Sequence, residues 1–280
     1  MAVSDYHWPN SGPPLLMAIL NVTPDSFSDG GRYAAPALLR PRLEQLLAEG
    51  ADIIDIGGES TRPGAEPVSI QQELDRVMPA VEQALALGAV VSIDTRHPEV
   101  MAAALAAGVA IINDVNALQA PGALALISQY QPAVCLMHMQ GEPRSMQQQP
   151  HYDDVVSEVN AFLVQRASSC RQAGLPAAKI CLDPGFGFGK SASHNLQLLY
   201  ALPTLVATGY PVLAGLSRKS LIGHVTGAPV AERLVGSVAL ALLAAQRGAR
   251  VLRVHDVKET KQVLQLWLAM EAQGQPSQQE

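Results

Sequence analysis

Eight short apolar runs at nearly regular spacing constrain the fold of this chain more than any other feature. Most of them lack polar alternation, as expected of parallel strands that are buried on both faces. From Asn21 to His255, seven steps span 234 residues, or about 33 residues a step, which suits a repeating βα unit. The runs cover residues 15–21, 52–58, 90–94, 110–114, 133–138, 179–183, 211–217 and 250–255.

The segments between these runs carry helix signals. Ser69 and Gln72 have the spacing of a capping box, and Pro98 stands where a helix is expected to begin. Six glycines follow amphipathic stretches shortly before a predicted strand, as at the C-terminal ends of helices. These glycines are Gly50, Gly88, Gly108, Gly174, Gly209 and Gly248.

Eight βα units predict an α/β protein with a (β/α)8 TIM barrel rather than an open doubly wound sheet. The open sheet is the weaker alternative because no G-x-G-x-x-G follows the first predicted strand. The length alone would allow two domains, but no linker rich in proline, glycine or serine divides the chain. We therefore predict an N-terminal extension at 1–14, one barrel domain at 15–270 and a polar, disordered tail at 271–280.

Composition limits the class of protein. Apolar residues make up 48% of the chain and charged residues 16%, which is enough for a large buried core. The net charge of −6 and the absence of a lysine or arginine run argue against a nucleic-acid partner. No signal peptide or membrane span is recognisable, so we expect a cytoplasmic protein. Cys135, Cys170 and Cys181 lack metal-ligand spacing, which favours buried, inert thiols.

Polar residues end most of the predicted strands. In a barrel of this type the active site is built where the strands end and the βα loops begin. Any one of these residues could be a helix cap or a turn former. So many on one rim favour a shared binding site. They are Asn21, Asp55, Asp94, Asn113, Asp114, His138, Asp183, Ser217 and His255.

The stretch DPGFGFGKS, residues 183–191, looks like a nucleotide-binding loop but fails the pattern. A P-loop requires glycine five residues before Gly189, and that position is Pro184. We interpret Asp183 as a carboxylate directed into the site and the glycines as a wide loop. Phe186 and Phe188 are either loop packing or aromatic side chains that cover a flat ring.

Seven motifs together resemble the dihydropteroate synthase family of folate biosynthesis. They are MAILNVTPDSFSDGG (17–31), GADIIDIGGESTRPG (50–64), SIDT (92–95), IIND (111–114), DPGFGFGK (183–190), GLSRKSLIG (215–223) and RVHDV (253–257). The resemblance runs from about Leu16 to the last helix, in the family's order. It implies a (β/α)8 barrel that joins 4-aminobenzoate to (7,8-dihydropterin-6-yl)methyl diphosphate and releases diphosphate. It also implies a homodimer, Mg²⁺ as cofactor and small-molecule substrates only. One local departure is Asn116-Ala117-Leu118, where we expect at most a small effect on the pterin pocket.

The resemblance assigns roles to the rim residues. Asp183, Asn113 and Lys219 would bind the pterin together with Asp94, whose carboxylate favours positive charge on the ring as diphosphate leaves. Asp94, Arg62 and Lys219 would be catalytic. The alternatives are a helix cap for Asp94 and a solvated loop arginine for Arg62. His138 is expected to be structural.

The same resemblance divides the remaining residues between the other two ligands. Mg²⁺ would be held by Asn21 and diphosphate oxygens, since Mg²⁺ takes few protein ligands. The diphosphate site would contain Asn21, Thr61, Arg62, Arg253 and His255. The loops that follow the first and second predicted strands, βα loops 1 and 2, are expected to be mobile. Their closure would form the aminobenzoate pocket from Phe27, Thr61, Arg62, Pro63, Phe188, Lys219 and Ser220.

Two rival functions follow from the same motifs. One is a methyltransferase with a pterin substrate, which would share the pterin acid and amide but would have no diphosphate to hold. The other is a catalytically silent pterin-binding module, which would be expected to lack Asn21, Asp94 or Arg62. The presence of all three favours the synthase and a dissociative reaction, in which diphosphate leaves before the arylamine attacks. A neutral aniline nitrogen is already nucleophilic, so no strong general base is needed.

Overall fold

The computed structural model is a barrel of eight parallel strands surrounded by helices. The structure describes residues 5–23, 36–60, 68–142 and 145–273. Neighbouring strands follow one another around the barrel in the order β6-β5-β4-β3-β2-β1-β8-β7, and every pairing is parallel. A parallel bridge between Leu182 and Val212 joins the two outer strands and closes the ring. The predicted (β/α)8 barrel is therefore confirmed.

All eight predicted strands are present, and each lies inside its predicted run. They are β1 Leu15–Asn21, β2 Ile53–Gly57, β3 Val91–Asp94, β4 Ile111–Asp114, β5 Ala133–Met137, β6 Ile180–Asp183, β7 Leu213–Ala214 and β8 Val251–Val254. The largest difference is at β7, which has two residues instead of the seven in its run. The strand residues are almost all buried, which is why the runs are apolar without alternation.

Ten α-helices in the described residues pack around the strands. They are α1 Pro36–Ala48, α2 Ile70–Ala86, α3 Pro98–Ala107, α4 Ala123–Tyr130, α5 Val155–Gln172, α6 Ala192–Tyr200, α7 Leu202–Val206, α8 Ser220–Thr226, α9 Leu234–Gln246 and α10 Val257–Gln273. Ser69 caps α2 in a capping box with Gln72, and Pro98 begins α3, as predicted.

The six glycines predicted at helix ends all have positive φ. Gly108 shows the reason most clearly, since its φ of 106° ends α3 in the left-handed region and lets β4 begin three residues later. A residue with a Cβ is strained in this conformation, so glycine is the residue that ends the helix at lowest cost.

Residues of the predicted extension close the N-terminal end of the barrel. Trp8 is 2% exposed and packs among Met17, Ile53 and Val251 at the beginnings of the strands. Its Nε1 donates to the carbonyl of Val134 at 3.2 Å. The apolar interior at this end of the barrel therefore includes a tryptophan from outside the eight βα units.

The last helix extends past the residue at which the barrel domain was predicted to end. Helix α10 continues to Gln273, three residues beyond the predicted boundary at 270. Glu271, Ala272 and Gln273 favour a helix, and Trp267 Nε1 donates to Glu271 at 3.0 Å. Among helices in the described ranges, none is long and apolar enough to cross a membrane.

Candidate active site

Three of the predicted strand ends, Asn21, Asp94 and Asn113, form one row with Gly57 across the C-terminal mouth of the barrel. The strand register aligns Asn21 with Gly57, Gly57 with Asp94, and Asp94 with Asn113. Gly57 is the small member of this row. A Cβ at this position would lie 3.4 Å from Asn21 Oδ1 and 3.5 Å from Asp94 Cβ. The glycine therefore leaves room for the amide and the carboxylate on either side of it.

Arg253 crosses the mouth and contacts two carboxylates. Its Nε donates to Asp55 and its Nη2 to Asp94, both at 2.6 Å. Burial alone would lower the pKa of Arg253, but these two carboxylates raise it above its usual range. Burial raises the pKa of Asp94, and the guanidinium of Arg253 opposes that shift. Arg253, which was predicted to bind diphosphate, therefore also pairs with two carboxylates at the mouth.

Asp55 is the site residue to which the sequence assigned no role beyond the rim. It is fully buried, and the side-chain amide of Asn113 donates to it at 3.2 Å in addition to Arg253. The available signal was an aspartate in the middle of the apolar run DIIDIGG, between two isoleucines. Its position links Asn113 to Arg253 and so fixes both groups.

Asp183 and Lys219 face the mouth from the opposite side. Asp183 is 6% exposed, and its Oδ1 accepts from the backbone of Gly185 at 2.7 Å. Burial raises the pKa of Asp183, while Lys219 is the strongest of the cations that lower it. Burial lowers the pKa of Lys219 to about 8. A buried acid and a partly buried cation, both predicted to bind the pterin, therefore lie close to each other.

The two aromatic residues of the loop after β6 lie in different environments. Phe186 is 1% exposed and packs in the core, which confirms the interpretation as loop packing for this residue. Phe188 is only partly buried, and the ammonium of Lys219 lies 4.5 Å from its ring centroid. Lys219 also donates to the carbonyl of Phe186. Phe188 is thus the aromatic side chain that borders the mouth.

His138 forms part of an internal hydrogen-bond network, which agrees with the structural role expected for it. Its Nδ1 lies 2.9 Å from the Nζ of Lys190. An ammonium only donates, so Nδ1 accepts and the imidazole carries its proton on Nε2. Burial and the charge of Lys190 lower the pKa of His138 to about 3. His138 therefore stays neutral.

Two further residues of the predicted site follow β7 and β8. His255 Nδ1 is 3.0 Å from the hydroxyl of Ser217, which joins the two strand ends. Ser220 is exposed at the first residue of α8, directly after Lys219. Both lie at the C-terminal end of the barrel. Phe27, Thr61, Arg62 and Pro63, with most of βα loops 1 and 2, lie outside the described residues.

One polar strand end belongs to the exterior of the barrel. Asp114 follows Asn113 in β4, so its side chain points away from the interior. Its two oxygens accept from the backbone of Asn116 and Leu118, each at 2.7 Å. Its inclusion in the shared binding site was therefore wrong. The alternative interpretation as a turn-forming residue is the one that the structure supports.

Sequence reasoning missed three contacts between a basic and an acidic side chain that join neighbouring βα units. Arg96 donates to both oxygens of Glu59, at 3.0 and 3.1 Å. His97 Nδ1 is 2.6 Å from the buried Glu73. These partners are separated by 24 to 38 residues, and no local spacing signal pairs them. The third pair joins Arg218 to Asp256 at 2.6 Å.

Comparison with known proteins decides the family. The model of the pterin binding enzyme family matches residues 17–255. A dihydropteroate synthase of Haemophilus influenzae is 50% identical over 257 residues, which cover 91% of this chain and 94% of that protein. This chain belongs to the dihydropteroate synthase family of pterin-binding enzymes.

Solved structures of relatives agree with this membership. Xanthomonas albilineans dihydropteroate synthase with 4-aminobenzoic acid has a TM-score of 0.87 and 52% identity, and the match covers 93% of this chain and 94% of the other. The same enzyme in complex with 7,8-dihydropteroate has a TM-score of 0.84 and 49% identity, with the same coverage. The seven motifs of the dihydropteroate synthase family therefore occur in a chain that matches its members over nearly the whole length.

Proposed function

We propose that this chain catalyses the condensation of 4-aminobenzoate with (7,8-dihydropterin-6-yl)methyl diphosphate to 7,8-dihydropteroate and diphosphate. The observation that carries the proposal is the arrangement of Asp183 and Lys219 opposite the Asp55–Arg253–Asp94 ion pairs at one barrel mouth. This arrangement offers acceptors for the donors of a pterin and cations for an anionic leaving group. The chain belongs to the dihydropteroate synthase family, and the reaction of that family is the one that these groups suit.

Pterin recognition depends on an acid, an amide and a lysine. A pterin presents adjacent N–H donors along one flat edge, and a carboxylate accepts from such an edge in pairs. Asp183 supplies this carboxylate, and its contact with Gly185 fixes its orientation. Asn113 adds an amide that both donates and accepts, and Lys219 donates to the ring oxygen and nitrogen. These three groups orient the pterin so that its methylene carbon faces the mouth.

Asp94 stabilises the charge that develops on the pterin. In the dissociative reaction the carbon–oxygen bond to diphosphate breaks first, which leaves a positive charge on the methylene and the ring. The carboxylate of Asp94 lies at the mouth and stabilises that charge, with Arg253 holding it in place at 2.6 Å. The amine of 4-aminobenzoate then attacks the methylene carbon. Its extra proton passes to solvent or to the departing diphosphate.

Cationic and hydrogen-bonding side chains would hold the diphosphate on the other side of the mouth. Arg253 and His255 belong to β8 and the residue after it, and Arg62 and Thr61 complete the set. Asn21 would bind Mg²⁺, which when bound neutralises part of the diphosphate charge. The donor set suits that ion, because Asn21 offers a neutral oxygen beside the space left by Gly57. Because Mg²⁺ keeps several waters and takes few protein ligands, diphosphate oxygens and water would complete the site.

The aminobenzoate pocket is proposed to form only after the diphosphate binds. Phe188, Lys219 and Ser220 supply its fixed side, and Phe27, Thr61, Arg62 and Pro63 its other side. Anionic diphosphate would draw Arg62 towards the mouth and shift the population towards the closed pocket. Titration of labelled 4-aminobenzoate should therefore give binding only when diphosphate and Mg²⁺ are present. Tight binding to the protein alone would contradict this order.

The deciding experiment measures release of diphosphate. Purified protein with Mg²⁺ and the pterin diphosphate should release diphosphate when 4-aminobenzoate is added and should form 7,8-dihydropteroate in equal amount. A pterin-dependent methyltransferase would do neither. A silent binding module would bind the pterin diphosphate without turnover. Pterin binding without product would therefore exclude the synthase reaction.

We also propose a cytoplasmic homodimer. Helices α9 and α10 contact each other and carry exposed apolar side chains, with Val235 79%, Leu266 73% and Met270 60% exposed. A second copy of the chain would cover such a surface symmetrically. Three buried free cysteines suit a reducing compartment. Val235→Asp should shift sedimentation towards a monomer, and Tyr200→Asp on α6 should not. A wild-type monomer at micromolar concentration would contradict the dimer.

A further inference from the structure

Lys190 is a buried lysine to which neither the family motifs nor the proposed reaction assign a role. It is 3% exposed and lies at the end of the loop after β6. We propose that Lys190 is a positioning residue that holds this loop in the shape that orients Asp183 and Lys219 towards the pterin. The inference rests on the proposed function, because the affected ligand is the pterin diphosphate.

The contacts of Lys190 gather four acceptors around one ammonium. Its Nζ lies 2.9 Å from His138 Nδ1 and 3.2 Å from the His138 carbonyl. It also lies 3.0 Å from the carbonyls of Gly185 and Phe188. An ammonium has three N–H donors, so these acceptors share them. The group thus joins the end of β5 to both ends of the loop after β6.

A direct chain of contacts leads from Lys190 to the pterin acid. Lys190 donates to the carbonyl of Gly185, and the backbone N–H of the same glycine donates to Asp183 Oδ1 at 2.7 Å. Gly185 has a φ of 67°, and a Cβ there would lie 1.9 Å from the His138 carbonyl. The backbone at Gly185 is therefore packed closely against His138. The carbonyl that accepts from Lys190 and the N–H that donates to Asp183 belong to the two peptide groups that meet at the Gly185 Cα. The ammonium therefore restrains both groups, and with them the rotamer of Asp183.

The backbone carbonyls of this loop accept hydrogen bonds from two lysines, Lys190 and Lys219. Gly185 and Phe188 direct theirs to Lys190, whereas Phe186 between them directs its carbonyl to Lys219. Carbonyl dipoles that converge on one point repel each other unless a cation stands between them. Without Lys190, the carbonyls of Gly185 and Phe188 would turn away, and Phe186 would move with them. Lys219 would then lose its fixed position above Phe188.

The charge of Lys190 also acts on Asp183. The cations that face Asp183 are Lys219, Arg253 and Lys190, and all three lower the pKa that burial raises. Lys190 is itself faced by Asp183, by Lys219 and by the neutral His138. Burial lowers the pKa of Lys190 to about 7, and the charge of Asp183 opposes that shift. Lys190 therefore carries its charge on the acidic side of this value. Removal of its charge therefore favours protonated Asp183, which cannot accept from the pterin edge in pairs. A purely structural contact would have no such effect.

The test compares Lys190→Met with Lys179→Met. Lys179 is a matched control, because it is 6% exposed and its Nζ donates to the Gln131 carbonyl at 2.7 Å at the opposite end of the barrel. Calorimetry with (7,8-dihydropterin-6-yl)methyl diphosphate should give at least about tenfold weaker binding for Lys190→Met and a change within about twofold for Lys179→Met. Affinity for the pterin diphosphate is expected to fall at low pH as Asp183 becomes protonated. In Lys190→Met this fall should begin at a higher pH than in the wild type.

A second pair of variants keeps the inference testable if Lys190→Met does not fold. His138→Asn places an amide oxygen where Nδ1 stands, whereas His138→Leu removes that acceptor. Both variants lose the ring contact with Phe162, whose centroid is 5.0 Å away. The difference between them therefore isolates the contact with Lys190. Binding of the pterin diphosphate should be several-fold weaker in His138→Leu than in His138→Asn.

Three results would overturn the role of Lys190 while leaving the proposed function standing. They are wild-type affinity with an unmoved pH profile in Lys190→Met, equal losses in the two lysine variants, and equal losses in the two His138 variants. Wild-type protein that fails to bind the pterin diphosphate would overturn both the positioning role and the proposed function.

Discussion

The two ends of the barrel interior differ in chemistry although the same eight strands form both. At the N-terminal end, Met17, Ile53 and Val251 pack around Trp8. At the C-terminal end, two residues further along the same strands, Asp55 and Arg253 form an ion pair. Inward-facing positions recur every two residues, so one strand contributes to both layers. Core packing and binding chemistry can therefore change independently at the two ends.

The largest effect is expected at the polar end. Asp183→Ala removes an acceptor of two charge-assisted hydrogen bonds to the pterin, each of about 1.5–3 kcal/mol. Pterin binding should weaken by about a hundredfold or more, with the circular dichroism spectrum unchanged. Asp52→Ala is the control, since Asp52 accepts from the backbone of Leu16 at 2.8 Å at the other end. Unchanged calorimetric affinity in Asp183→Ala would refute the assignment of the pterin pocket.

The next largest effect is expected at the apolar end. Trp8→Ala should lower the free energy of unfolding by about 3–5 kcal/mol, because it leaves a cavity beneath the strands. Trp8→Phe keeps a ring but loses the bond to the Val134 carbonyl, so it should cost about 1–2 kcal/mol. Urea unfolding measures both. Pterin affinity should stay within about twofold in each variant that folds. A loss of affinity equal to that of Asp183→Ala would show that the two ends are coupled.

Asp114→Ala tests a polar residue that lies outside the barrel, next to the polar end of its interior. The change leaves the backbone N–H groups of Asn116 and Leu118 without their acceptor, at a cost of about 2–3 kcal/mol of folding free energy. Pterin affinity should not change, because Asp114 faces away from the mouth. Thermal unfolding and calorimetry on the same sample test both statements. Weaker pterin binding in this variant would restore Asp114 to the site.

The smallest effect is a pH dependence at the mouth. Burial lowers the pKa of Lys219 to about 8, and the protonated form donates to the pterin. Catalytic efficiency should therefore fall as pH rises through this value, to about half its plateau where pH equals pKa. Lys219→Arg, which keeps its charge, should be less active but should lack this decline. A flat profile to pH 9 in the wild type would show that the charge of Lys219 is not required.

Local patterns in the sequence predicted the architecture well. The spacing of the apolar runs gave eight strands, and all eight were found within their predicted limits. Ser69, Pro98 and the helix-ending glycines marked helix ends, because capping and positive φ are set by neighbouring residues. The strand-end positions also predicted that Asp94, Asn113 and Asp183 share one mouth, and the family resemblance added Lys219. Hydrophobic spacing and helix capping depend on residues that are close in the sequence. A single sequence is therefore sufficient to predict them.

Only the tertiary structure decided which of these groups touch. Arg253 meets Asp55 across 198 residues, and Trp8 meets Val134 across 126, so no local spacing could pair them. Asn113 and Asp114 are adjacent in sequence, yet one faces the mouth and the other supports a turn outside it. Strand register and barrel closure determine whether a given side chain faces the interior or the exterior of the barrel. They depend on the packing of all eight strands at once, and therefore on contacts that no single segment of the sequence contains.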